Sequence, residues 1–435
     1  MKVLEAEKTI GIEIFFTQKN GIGGKLRTQT KDFFVDEISK YPPKKSDGKF
    51  TIADVTSNYW ETNLLIRELS NWLHISRQRI SFAGTKDKRA LTKQLMSFYK
   101  VDVEKLSQVK IKDIKIENIY QSDRPVKIGT HIGNKFEIIV RDLNSASLKN
   151  IDDIYSTIIG LGGFPNFYGI QRFGIIRPIT HIVGKYIVKD DFEKAVMTYI
   201  ANPIKGEDEE TYQLRKDLQE TYDFAKALNN YPSQLSFEKA ILNKLVVNEK
   251  DYIGALKELP KNLLTMFIYA YQSYLFNKIL SKRIKQKITL NEANIGDIVL
   301  PFRKGIIDQT EIIVKENNVE KVNKQISKGK AAVSGVLFGS DSVFSEGHMG
   351  EIEQKIIEQE KIDPRDFIIP DVPFISSSGS RRPLIGFVKN LNYNLIDDDL
   401  LNRKKALKLK FELQKGSYAT SLLREFMKAE DIKNY

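Results

Sequence analysis

Two stretches in distant parts of the chain alternate apolar and polar residues with the period of a β-strand, and the patterning between them is helical. In "ALKLKFEL" the side chains of Leu407, Leu409, Phe411 and Leu413 fall on one face of an extended segment, and "NKFEIIVRDL", from Asn134, reads as a strand after a glycine-containing turn. Between them, residues 191–248 carry helical spacing with dense charge. Beyond these, Leu264, Phe267, Ile268, Tyr271, Leu275 and Ile279 make an apolar stripe at helical intervals that belongs in a core. Strands on both sides of a helix-rich block predict a domain inserted into another. The length of 435 residues agrees, because it exceeds what one hydrophobic core usually holds.

Nearer the start, Leu64, Leu65, Leu69, Trp72 and Leu73 recur at helical spacing, "ISFAG" reads as a short strand stopped by Gly84, and "ALTKQLMSFYKV" as a second strand. On that strand Ala90, Thr92 and Gln94 share one face. Asp87, in "SFAGTKDKRALTKQ", therefore sits on a loop between two strands, among Lys86, Lys88 and Arg89. Further on, "GGFPNFYGIQRFG" mixes aromatics, glycines and Arg172 and predicts irregular structure; "FISSSGSRRP" reads as a boundary loop.

Composition narrows the chemistry. Lys and Arg total 68 against 56 Asp and Glu, a net charge of +12, which suits either a polyanionic partner or a solvated basic surface. The chain has no cysteine, which excludes disulfides, thiolate nucleophiles and Cys-ligated zinc. His74, His131, His181 and His348 are far apart in sequence, so neither a histidine-built metal site nor a Ser-His-Asp triad is supported. No run of apolar residues approaches the length of a membrane span and the first residues lack a secretory pattern, so a cytoplasmic protein without membrane contact is expected.

Asp87 has two readings. As a turn residue it would cap backbone amides; with three cations beside it, it would instead stay an ionised carboxylate fit for nucleophilic or base catalysis. Residues 166–174 can stack an unpaired base while Arg172 meets a phosphate, or can form an aromatic cluster under a loop. Phe411 shares its strand face with three leucines, which favours core packing unless the strand ends at a cleft.

Five motifs, in order, are spread over nearly the whole chain: "DFFVDE" (32–37), "SFAGTKDKRALTKQ" (81–94), "GNKFEIIVRD" (133–142), "NFYGIQRFG" (166–174) and "FELQKGSYATSLLRE" (411–425). Together they resemble the TruD family of tRNA pseudouridine synthases, in its archaeal-type form. The resemblance implies an α+β fold: a catalytic domain with a central, mostly antiparallel sheet, interrupted by a large α+β insertion. The expected division is 1–190 and 386–435 for the catalytic domain and 191–385 for the insertion. It also implies isomerisation of a uridine in RNA, uridine 13 of tRNA above all, with Asp87 as the nucleophile and no metal or other cofactor. Phe33, Asn166, Tyr168 and Phe411 match substrate contacts, and Arg27 matches a basic residue that pairs with the acid. Where the commoner motif has Tyr then Phe after Asn, this chain has Phe167 then Tyr168, which would bring a hydroxyl to the target nucleotide. The partner expected is tRNA, bound by a monomer, with "SKRIKQK" (281–287) and "SGSRRP" (378–383) as candidates for holding its backbone. Two other readings are an RNA-binding protein without catalysis, and an RNA hydrolase, which would want paired carboxylates with a metal or a histidine pair.

Overall fold

The computed structural model describes residues 2–303, 306–402 and 404–435. The chain divides into two compact units, Met1–Phe16 with Pro165–Ile385, and Thr17–Phe164 with Gly386–Tyr435. The architecture is α+β, with one large mixed sheet and a second, smaller antiparallel one.

In the unit that holds residue 87, the sheet runs, among the described residues, in the order Ile114–Ser122, Phe50–Asn58, Leu91–Tyr99, Phe33–Ile38, Gly133–Leu143, Lys405–Gln414, Ile385–Asp397, Gly163–Pro165. From Ile114–Ser122 to Ile385–Asp397 neighbouring strands are antiparallel except Phe33–Ile38 and Leu91–Tyr99, where Phe34 faces Leu91 and Asp36 faces Lys93. Parallel neighbours need a crossover, supplied here by the Phe50–Asn58 strand, the Thr62–Leu73 helix and the short Ile80–Phe82 strand. The helix packs Leu65, Leu69 and Leu73 against Val55, Met96 and Phe98. The alternation in Lys405–Gln414 emerges as expected: Leu407, Leu409, Phe411 and Leu413 are buried with Ile138 and Val140, under Leu422, Leu423 and Phe426 of the Ala419–Met427 helix. At ~25 cal/mol per Å² of apolar surface, each of these side chains contributes about 1.5–3 kcal/mol.

The other unit is built on the 25-residue helix Lys261–Lys285, whose stripe Leu264, Phe267, Ile268, Tyr271, Leu275 and Ile279 is fully buried. The Thr180–Val188 helix lies close against it: a Cβ on Gly184 would come within 2.0 Å of the Phe267 carbonyl oxygen, so only glycine permits the approach. That packing draws the chain from Pro165 onward into this unit, whereas the sequence placed the edge at Asp191. Two other segments differ from their sequence reading. The end of "FISSSGSRRP" is not a free loop but the strand Ser380–Pro383, paired with Ala331–Leu337. Its Arg381 is buried, donating from Nη2 to Glu353 Oε1 at 2.9 Å and from Nε to Ser334 Oγ at 3.0 Å. Likewise Arg283 of "SKRIKQK" is buried on Asp297, with Nη1 and Nη2 at 2.6 and 2.9 Å from the two carboxylate oxygens. Neither arginine is available to hold RNA.

Candidate active site

The parallel pair explains how the site assembles. Because Phe33–Ile38 and Leu91–Tyr99 run in the same direction in register, the segments that lead into them reach the same end of the sheet. One carries Arg27, the other Asp87. Arg27 Nη2 donates to Asp87 Oδ2 at 3.3 Å, and the side chains are 10% and 68% exposed respectively. Asp87 accepts no backbone amide among the described residues, which removes the capping reading.

Each half of the pair is held from behind. The Arg27 segment ends in the turn Thr30–Asp32, where Asp32 accepts from the Gln29 amide at 2.8 Å and from Arg141 Nη2 and Nε at 2.8 and 2.9 Å. Arg141 Nη1 also reaches Asp398 at 2.6 Å and Asp399 at 2.5 Å. Its pKa is raised by these bonds, that to Asp32 foremost. The Asp87 loop is tied down through Lys86, whose amide donates to Thr62 Oγ1 at 2.8 Å and whose ammonium donates to the buried Glu37 at 2.5 Å. His131 lies behind the same loop, 3.2 Å from where a Cβ on Gly84 would be. Burial lowers its pKa, against the attraction of Glu37.

Of the three cations beside Asp87 in sequence, two have other partners, and the arginine implied by the resemblance meets the carboxylate. Lys86 is turned inward onto Glu37, Lys88 lies 5.0 Å over the Tyr59 ring, and the cation that meets Asp87 is Arg27, sixty positions earlier. Burial pushes the Arg27 guanidinium's pKa down, opposed by the charge of Asp87.

From Arg27 a line of rings runs across one sheet face. The guanidinium carbon sits 4.0 Å above the Phe33 ring, Phe33 meets Phe136 edge-on at 6.3 Å, and Phe136 stacks on Phe411 at 5.1 Å. Phe411 is 2% exposed, so core packing accounts for most of its surface, while Phe136 is half-buried. Phe136 is a residue that sequence reasoning missed, although its alternation with Ile138 and Val140 was readable in "NKFEIIVRDL". Missed too was a strip of buried amides, where Asn134 Oδ1 and both amide atoms of Gln94 have no hydrogen-bond partner.

Asn166 and Tyr168 belong to the other unit and are positioned within it. Asn166 donates from Nδ2 to the Pro383 carbonyl at 2.9 Å and accepts from Arg382 Nη2 at 2.7 Å. The Tyr168 ring carries the Arg382 guanidinium 4.1 Å above it and meets Phe276 edge-on at 5.7 Å. The two are thus brought together by Arg382. Among the described residues no group of three His, Cys, Asp or Glu could hold a metal ion, and no helix is long and apolar enough to cross a membrane.

A carboxylate at the end of a mixed sheet, gripped by one arginine and followed by a row of aromatic rings, defines a protein suited to carboxylate chemistry on a planar ring. Comparison with known proteins makes this specific: the chain belongs to the TruD family, whose description reads tRNA pseudouridine synthase D and whose profile matches residues 9–426. It is 42% identical over 436 residues to "Probable tRNA pseudouridine synthase D" of Methanococcoides burtonii, covering 99% of each chain. A protein of the same name from Archaeoglobus fulgidus is 37% identical, across 98% of this chain and 99% of its own. The crystal structure of TruD from Methanosarcina mazei superimposes with a TM-score of 0.90 at 40% identity, over the full length of both chains.

Proposed function

We propose that this protein isomerises a uridine of tRNA, at position 13, to pseudouridine, with Asp87 as nucleophile and without a cofactor, acting as a cytoplasmic monomer. The observation that carries the reading is the Asp87–Arg27 pair: an exposed carboxylate, held by one cation at 3.3 Å, beside the ring row Phe33, Phe136 and Phe411. Thr17–Phe164 with Gly386–Tyr435 is then the catalytic part and Pro165–Ile385 the insertion.

In the reaction the N1–C1′ glycosidic bond breaks, the uracil turns, a C5–C1′ bond forms, C5 gives up its proton and N1 takes one up. Atoms and electrons balance without an oxidant or a water. Asp87 attacks the ribose or the uracil ring, the bond it forms breaking again once C5 and C1′ are joined, or it takes a ribose proton and returns it; its exposed side chain, held by Arg27, is placed for any of the three. A target uridine must leave its stack to reach Asp87, and Phe136, the half-exposed ring of the row, offers a surface for the stacking it loses. The unpaired amides of Gln94 and Asn134 are the kind of donor and acceptor that match the imide edge of uracil. Net charge of +12 supports a polyanionic substrate. Asn166 and Tyr168 are the substrate contacts assigned to the other unit, with Asn166 acting through Arg382.

The test is a site-resolved pseudouridine assay on unmodified tRNA with wild type and Asp87→Asn. Wild type is expected to modify position 13, and the nearly isosteric variant to lose at least about a thousand-fold in rate, ~4 kcal/mol in barrier, while keeping RNA affinity. Turnover near wild type in Asp87→Asn would sink the assignment. RNA binding without pseudouridine from wild type on any RNA would turn the reading to a binding protein.

A further inference from the structure

The segment 166–174 contains more than the expected target contacts. In the Pro165–Ile385 unit a pocket of about 350 Å³ opens beside Tyr168 and Arg172. One wall is a single face of the long helix, since Tyr269, Gln272 and Ser273 lie at i, i+3 and i+4. The opposite wall is the loop Ser376 to Ser380.

The loop is fixed rather than loose. Gln272 Nε2 donates to Ser377 Oγ at 2.8 Å, Ser376 Oγ accepts from the Ile369 amide at 2.9 Å, and the carbonyls of Ser377 and Ser378 accept from the Ser340 and Asp341 amides at 2.9 and 3.1 Å. Fixed in this way, the exposed residues Ser376, Ser378 and Ser380 line the pocket. Arg172 enters from a third side, its guanidinium carbon 6.0 Å from the centre of the Tyr269 ring and its Nε buried without a hydrogen-bond partner. Tyr269 is 47% exposed, so much of its ring is open on the side of the helix away from the buried stripe. No carboxylate lines the pocket.

These features form a set. An arginine with an unsatisfied donor, several hydroxyls and no acid select an anion with several oxygens. A ring left half bare beside the arginine selects a flat π-system. A phosphate and a base joined through one sugar meet both demands, and a pocket of this size takes a single residue of that kind. We propose that this pocket binds one unpaired nucleotide of the RNA next to the target uridine that meets Tyr168 at its rim, with its base on Tyr269 and its phosphate on Arg172 and the serine loop. A paired base could not enter, so the pocket reads a looped-out or single-stranded position and sets how the RNA is placed. The inference rests on RNA being the substrate.

Full-length protein and unmodified tRNA test it, through the dissociation constant by fluorescence anisotropy across a salt series and pseudouridine formation on the same samples. Tyr269→Ala and Ser378→Glu, both at exposed positions where folding is not at stake, are each expected to raise Kd about ten-fold, with the loss of activity appearing in KM. Arg172→Gln should lower the slope of log affinity against log salt by about 0.7, as loss of one single-strand phosphate contact requires. Kd within about two-fold of wild type for both Tyr269→Ala and Ser378→Glu overturns the proposal, even if inorganic phosphate still binds near Arg172. The failures are separable. Normal variant affinities with pseudouridine formed would remove the pocket and leave the isomerase; pocket-dependent binding without any pseudouridine would remove the isomerase and leave the pocket; a wild type that binds no RNA removes both.

Discussion

Arg27 and Arg141 both serve aspartates beside the same strand, Phe33–Ile38, and they are arranged to opposite ends. Arg141 is 2% exposed and spends its donors on Asp32, Asp398 and Asp399, two of whose carboxylates are themselves buried. Arg27 gives Asp87 a single bond at 3.3 Å, leaves its Nε unpaired, and takes the left-handed backbone region at φ 56°, where a non-glycine residue is strained. A guanidinium with all three nitrogens engaged holds a structure, whereas one with a free Nε beside an exposed acid leaves capacity for a ligand.

The largest effect expected from breaking this contrast is on stability. Arg141→Ala strands three carboxylates, two of them buried, and should cost about 3–5 kcal/mol in urea denaturation; a loss under about 1 kcal/mol would show that Arg141 is no anchor. His181, in the other unit, extends the structural side of the comparison to pH. Burial lowers its pKa from 6.5 to about 4, between the Phe173 and Tyr274 rings and near Lys185 and Glu360. The native pKa lies below the unfolded one, so the contribution is fully present above pH 6.5 and is lost as pH falls toward 4. About 3 kcal/mol should drain over that window, and His181→Phe should flatten this limb of the stability profile. An unchanged limb would assign the acid sensitivity elsewhere.

Arg27→Lys sharpens the comparison from the functional side. It keeps the charge and loses the planar group over Phe33, so turnover should fall about ten-fold while unfolding shifts by less than about 1 kcal/mol. A stability loss as large as that of Arg141→Ala would place Arg27 among the anchors. The smallest effects concern the rings: Phe411→Leu and Phe136→Leu should each cost under about 1.5 kcal/mol of stability. Turnover should suffer more from Phe136→Leu, whose ring is half-exposed; the reverse order would return Phe411 to the substrate face.

Much of this was legible locally. Strand alternation in 406–413, the helical stripe from Leu264 to Ile279 and the loop position of Asp87 depend on neighbours along the chain, and they emerge as read. What was illegible depends on register. The line from Phe33 through Phe136 to Phe411 joins three strands, and no single-strand pattern says which residues face each other. Long-range ion pairs hid in the same way. "SGSRRP" looked like a linker because the partner of Arg381, Glu353, lies on a separate helix, Gly347–Glu360. The pairing of Arg27 with Asp87 came from the resemblance alone, since only the fold brings residue 27 to residue 87, and Lys86 changed role by turning toward Glu37.

The place of Lys405–Gln414 in the sheet, between Gly133–Leu143 and Ile385–Asp397, also sets an order of events during synthesis. Gly133–Leu143 leaves the ribosome long before the strand that covers it, and the whole Pro165–Ile385 unit is made in the interval. Through that time the older strand presents an open, largely apolar edge, a template for wrong pairing that the nascent chain must shield. Asp398 and Asp399, the late partners of Arg141, and Phe411, the last ring of the row, arrive together with the strand that closes this edge. Completion of the sheet and completion of the surroundings of Arg27 and Asp87 are thus one event, and a chain cut short before it carries Asp87 without the last ring of the row and without two of the partners of Arg141.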